Sequence, residues 1–364
     1  MFRKRIVDLC VWMRRLILEK GIAFNDLVPG NLSIRNNRFT FFICISFVDA
    51  AICSDLLTDP ILLSSCKDSI KVIWFTAGNG HNKLCWGENN VQVIAQSKKI
   101  PGWVTDSMVQ VWRHEAGVKF SEFRKRENYY ILSDQKILGP FYFKPLPSKD
   151  TPVKFLLTSD FQCRPRCAQT MTEARRFCED IDAILHAGDF GPNVSAKYWL
   201  LHNCGVFNLI QGTAQVTIEN KIFKGAAFTQ KILLFPAYGN HDSVDGKQFP
   251  WERFNQIFFP EKGVSPPYYS MRFGNVFLIF LAVAKVPGEK YSYVSINETS
   301  PQYRWLVQEL QLEACRNAKL RIVMMHHPLY TLKPVGDPLC VLDSKEYSQV
   351  NLRWLKSHRF PLRD

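Results

Sequence analysis

Residues 231–242 read KILLFPAYGNHD, an apolar run of strand length that ends in a glycine and then delivers Asn240, His241 and Asp242 in succession. Working outward, the same shape recurs. VKFLLTSD (153–160) ends on Asp160, DAILHAGD (182–189) ends on Asp189, and RIVMMHH (321–327) ends on His326 and His327, with a further apolar strand at NVFLIFLAVA (275–284). Helical stretches are predicted between them, near 170–180, 195–203, 250–259 and 300–315, the last with Ser300 as N-cap and Pro301 at the first helical position. Strands alternating with helices make an α/β layered domain, whose ligands collect at the carboxyl ends of the strands.

Four strand ends thus bring an oxygen or an imidazole to one edge of a sheet. Any single GD or NH dipeptide is more often a turn or a helix cap; the ordered recurrence of four such ends is what argues for a site. Such a set suits phosphate-ester chemistry, in which two cations about 3.5–4 Å apart activate the attacking water and neutralise the non-bridging oxygens. Asp189, placed after a glycine that permits a tight turn, is suited to bridging both cations, with Asp160 holding one and Asn240 and His326 the other. Carboxylate, amide oxygen and imidazole donors fit Mn, Fe or Zn. Asp245, Lys247, Trp251 and Arg253 follow and are candidates to line a substrate pocket.

The ordered series SDxx, GDF, GNHD and VMMHHPLY resembles the calcineurin-like metallophosphoesterase superfamily, and the preceding SIKVIWFT and LCWGEN resemble the N-terminal domain of its purple-acid-phosphatase-like branch. The resemblance covers roughly residues 55–338. It implies an α/β metallophosphoesterase fold, a two-sheet β-sandwich flanked by helices, preceded by an all-β fibronectin-III-like sandwich. It also implies a phosphatase that hydrolyses phosphate esters through a two-metal-activated hydroxide. Asp160 would bind the first metal, Asp189 bridge, and Asn240 and His326 bind the second; His241 would protonate the leaving group, and Asn240, His241 and His327 would face the substrate phosphate. The chain departs from the family pattern in three places. Gln162 stands where the first motif has a metal-binding histidine, and is at most a weak ligand. Pro192 stands where purple acid phosphatases carry their chromophoric tyrosine. No Gly-His-x-His motif follows Pro328, and His358 is no substitute. The expectation is a domain over 151–364 that is incomplete at its C-terminus and holds less than its full pair of metals. The competing reading is a degenerate, non-catalytic member of the fold acting as a binding module.

Residues 55–147 show short β-rich runs between turn residues, the pattern of an antiparallel sandwich, and a proline-marked segment at 139–152 separates them from the α/β half. His81 and His114 in this region read as structural histidines. Residues 1–54 form a basic leader whose apolar run, FTFFICISFVDAAIC (39–53), has the layout of a signal peptide and is too short to span a membrane. A secreted or endomembrane, lumenal protein is expected, without membrane association. Asn193 and Asn297 would then be glycosylation acceptors, and some of the 11 cysteines paired. Cys163 and Cys167, a CxxxC, are either a disulfide or two free thiols. The net charge of +13 suits an anionic partner. Nucleic acid is not expected to be that partner, since no helix-turn-helix, zinc-finger or aromatic-basic motif is present; a small phosphate ester is. Oligomeric state is not legible.

Overall fold

Neighbouring side chains of one apolar strand enter different cores. The computed structural model describes residues 55–327, apart from 67–68, 88–89, 120–125, 179, 245–246, 283–293, 295 and 297. The basic leader and residues 328–364 therefore lie outside the described residues. Ile73 and Phe75 belong to one buried cluster, while Val72 and Trp74 belong to another. Ile184 is divided in the same way from Ala183 and Leu185, and Leu234 from Leu233 and Phe235. Strands buried on both faces read as unbroken apolar runs, which is why AILH (183–186) and LLFP (233–236) show no polar alternation.

In chain order the strands are β1 (Asp55–Leu56), β2 (Ile61–Cys66), β3 (Ser69–Ala77), β4 (Asn82–Trp86), β5 (Val91–Ile94), β6 (Gln96–Val104), β7 (Gln110–Lys119), β8 (Glu127–Ser133) and β9 (Lys136–Phe143). The second half contributes β10 (Phe155–Thr158), β11 (Ala183–His186), β12 (Val216–Ile218), β13 (Lys221–Phe223), β14 (Leu233–Pro236), β15 (Tyr269–Phe273), β16 (Val276–Phe280) and β17 (Leu320–Met324). One eight-stranded sheet has the order β10-β11-β14-β2-β3-β7-β6, with β1 on β3. Its β10, β11, β14 and β2 run parallel and the remainder antiparallel.

The junction is β14 beside β2, where Leu233 and Leu234 pair with Leu62 and Leu63. The sandwich expected over 55–147 therefore shares its larger sheet with the α/β strands, and the sheet runs straight across the segment predicted as a boundary. β2 explains this physically. Ile61 and Leu63 enter one core and Leu62 the other, so an uncovered β2 edge would expose a strand that is apolar on both faces.

Two smaller sheets, β5-β4-β8-β9 and β15-β16-β17, face the long one across a shared interior. Leu84, Tyr129 and Phe143 from the first and Phe273, Leu278 and Phe280 from the second meet Val72, Trp74, Leu185 and Phe235 there. The opposite face of the long sheet is covered by helices Pro165–Phe177, Val206–Gln211 and Glu252–Phe258 and by one wide turn over Lys197–Leu201, through Met171, Trp199, Phe207, Phe254 and Phe258. Helix Pro301–Gln311 covers the outside of β16, where Leu306 joins Phe277 and Ile279. Its N-terminus matches the sequence reading: Ser300 Oγ accepts the Tyr303 N–H at 3.1 Å, with Pro301 at the first position. The hairpin β12-β13 and helix Val206–Gln211 were not expected; their short segments show neither helical nor alternating period.

His114 is a buried structural histidine. Its Nε2 lies 2.7 Å from Thr76 Oγ1 and its Nδ1 2.8 Å from Ser97 Oγ, with the ring against Trp74. Burial, aided by the charge of Arg113, lowers its pKa to about 4, and burial with the charge of His326 lowers that of His186 to about 3. Below the ordinary value of 6.5 the unfolded chain binds protons that the folded chain refuses, so stability is full above that pH and falls as pH drops toward 4. Thermal unfolding should therefore shift to lower temperature between pH 7 and 4.5. His114→Gln should remove on the order of 2 kcal/mol of that acid sensitivity; a variant whose melting curve tracks the parent across this window would show that His114 is not held neutral.

Candidate metal centre

Each strand end that sequence singles out arrives at one place. β10, β11 and β14 lie side by side, and the loops that leave them carry Asp160, Asp189 and Asn240. His326 does not come from that sheet: it follows β17 of the three-stranded sheet packed opposite. The site thus lies between the carboxyl ends of two sheets rather than along the edge of one.

The loops that carry the ligands approach to backbone contact. Gly188 has φ 96°, and a side chain there would lie 2.7 Å from the Gly239 nitrogen. Asp160 and Asp189 themselves sit in the left-handed region, at φ 55° and 59°, a conformation that aspartate tolerates better than most residues. Asp242 ties the two loops together. Buried, it accepts the N–H of Asp189 at 2.8 Å, of Gly239 at 2.9 Å and of Phe190 at 3.0 Å. Burial and the neighbouring charge of Asp189 push its carboxyl up to about 8. Sequence reading quoted Asp242 within GNHD and assigned it no task; the signal was its place in the motif.

Three polar atoms converge on one point. His326 Nδ1–H donates to the Ala187 carbonyl at 2.9 Å, which turns the ring's Nε2 inward. That Nε2 faces Asn240 Oδ1 at 3.0 Å and Asp189 Oδ1 at 3.4 Å. His327 Nε2 lies 3.2 Å from the same Asn240 oxygen, to which it can donate, and so aims that oxygen at the site. Asp160, Asp189 and His326 each offer a ligand atom, all within 4.8 Å of one another. Groups so arranged favour a positive charge among them, which a proton on His326 or a bound cation supplies, and carboxylate, amide and imidazole together fit a divalent cation.

The electrostatics show the same preference for positive charge. Burial lowers the pKa of His326, but the hydrogen bond and charge of Asp189 outweigh it and hold the imidazole above its ordinary value. Burial raises that of Asp189, and His326 together with the His241 backbone N–H bring it below the usual carboxylate range. Burial, then the charge of His326, lowers the pKa of His327 to about 4.

Other predicted residues fall into two groups. His241 stands at the mouth of the site, its side chain 46% exposed. Its backbone N–H donates to Asp189 Oδ1 at 2.8 Å, and its Nδ1 lies 3.0 Å from the Pro192 carbonyl. Gln162 reaches the site with its NH2 group, which donates to Asp189 Oδ2 at 2.7 Å; its oxygen is turned away to Arg164, at 2.6 Å. Trp251 and Arg253 are engaged elsewhere, by the Val264 and Pro101 carbonyls, and Asp245 lies outside the described residues. Cys85, Cys163, Cys167, Cys178, Cys204 and Cys315 are free thiols, so the CxxxC is unpaired.

The family model for calcineurin-like phosphoesterases matches residues 153–359, more than half of the chain, and the match spans Asp160, Asp189, Asn240 and His326. No curated protein matches the chain.

Proposed function

The chain belongs to the calcineurin-like phosphoesterase family, and on that premise we propose that Asp160, Asp189, Asn240 and His326 hold a catalytic cation with which it hydrolyses phosphate esters. The observation that carries this reading is the convergence of His326 Nε2, Asn240 Oδ1 and Asp189 Oδ1 on one point, with Asp160 beside them. When bound, the cation supplies Lewis-acid polarisation of the phosphoryl group and a water acidic enough to attack phosphorus at neutral pH.

The chain's own residues do the positioning. The Ala187 carbonyl fixes the tautomer of His326, and His327 orients the amide of Asn240. His241 spends its Nδ1–H on the Pro192 carbonyl, leaving Nε2 as the ring nitrogen that faces the site. Protonated there, it can give its proton to the departing alkoxide while Nδ1 keeps the ring in place.

Full-length protein supplied with Mn, Zn or ferrous iron should hydrolyse both aryl and alkyl phosphates, and EDTA should stop both reactions. His241→Asn should slow alkyl phosphate turnover by about 10²–10⁴-fold, the usual worth of a general acid. p-Nitrophenyl phosphate, whose leaving group needs no proton, should stay close to the parent rate. Equal losses on both esters would take the acid role from His241. A folded, metal-supplied chain that turned over neither ester would favour the non-catalytic reading, which the amide of Gln162 beside Asp189 motivates.

A further inference from the structure

The Gln162 amide occupies the side of Asp189 that a second cation would need. Its NH2 donates to Asp189 Oδ2 at 2.7 Å, and its oxygen accepts from the Arg164 guanidinium at 2.6 Å. An amide NH2 has no lone pair to offer a metal. Reversing the amide would set its oxygen against the Asp189 carboxylate and its NH2 against a guanidinium, so both partners hold it in place. Asp189 thus turns Oδ1 toward His326, and on its other side meets an amide N–H rather than a lone pair that could join it in holding a cation.

We infer that this chain is a one-cation member of its family, with the Gln162 amide, held by Arg164, taking the place of the first metal against Asp189. This rests on the phosphoesterase reading and deepens it. Gln162 and Arg164 are positioning residues here: an amide N–H backed by a guanidinium stands against Asp189 Oδ2 where a metal-binding side chain would offer a lone pair.

Full-length protein saturated with Mn(II) should carry one ion per chain by native mass spectrometry and give the six-line electron paramagnetic resonance spectrum of an isolated Mn(II). Gln162→His, which restores an imidazole lone pair facing Asp160 and Asp189, should take up a second Mn(II) and show the broadened spectrum of a coupled pair. Two coupled ions in the parent would overturn the inference while leaving the phosphoesterase reading intact. A Gln162→His protein that still bound one ion would overturn the part given to Gln162. No Mn(II) bound by the folded parent would overturn the phosphoesterase reading, and this inference with it.

Discussion

Asp189→Asn should silence the protein. The substitution keeps the side chain's shape and removes its charge at a position that is 2% exposed and meets every other group of the site. Oδ1 accepts the His241 N–H at 2.8 Å and faces His326 Nε2 at 3.4 Å, while Oδ2 accepts from Gln162 at 2.7 Å. An asparagine has one acceptor where two are required, so its NH2 must oppose either a backbone donor or the Gln162 amide, at a cost of about 1–3 kcal/mol. The larger effect is electrostatic. Without the carboxylate the cluster loses its buried anion, cation affinity falls, and His326 loses the partner that holds its pKa up. Alkyl phosphate turnover should drop on the order of 10³-fold or more, as when a charge contact to a transition state is removed. Mn(II) binding, followed by paramagnetic resonance, should weaken in parallel. A variant that binds Mn(II) and hydrolyses esters like the parent would mean that the centre is misassigned.

Gly239→Ala should damage fold and site together. A Cβ at this position overlaps the Asp189 backbone nitrogen and Oδ1, which are fixed in turn by Asp242 and by the His241 N–H. Neither neighbour is the free end of a flexible side chain, so the two loops must separate. Forced overpacking of this kind costs about 3 kcal/mol or more, and here it also pulls Asp189 away from Asn240. Urea unfolding should show a lower midpoint at unchanged slope, together with loss of Mn(II) binding. Gly117→Ala provides the contrast, since a Cβ there meets nothing within 4 Å, and it should leave both measurements near the parent. If the two alanine variants behaved alike, the close approach of the Gly188 and Gly239 loops would not be what holds the site.

Much of this site is written locally. An apolar run followed at once by aspartate, asparagine or histidine places the polar group at a strand end whatever the partners of the strand, so Asp160, Asp189, Asn240 and His326 are recoverable from their own short segments. The cap at Ser300 is local in the same sense, because its oxygen bonds a backbone N–H three residues ahead. Asp242 was overlooked because its three donors come from Gly239 and from another loop, which only folding brings near.

The order and chemical type of the candidate ligands, and the double burial of the strands that lead to them, are properties of consecutive residues and follow from the chain's own pattern. The continuity of the long sheet is not, since alternating burial says that Leu62 and Leu233 face inward without saying that they are neighbours. Nor is the origin of His326 in the opposite sheet. The least legible feature is the orientation of the Gln162 amide: oxygen and nitrogen differ at that position only through the carboxylate on one side and the guanidinium on the other. Hydrogen-bond direction depends on which groups the folded chain sets face to face, and it decides whether Gln162 turns a lone pair or an N–H toward Asp189.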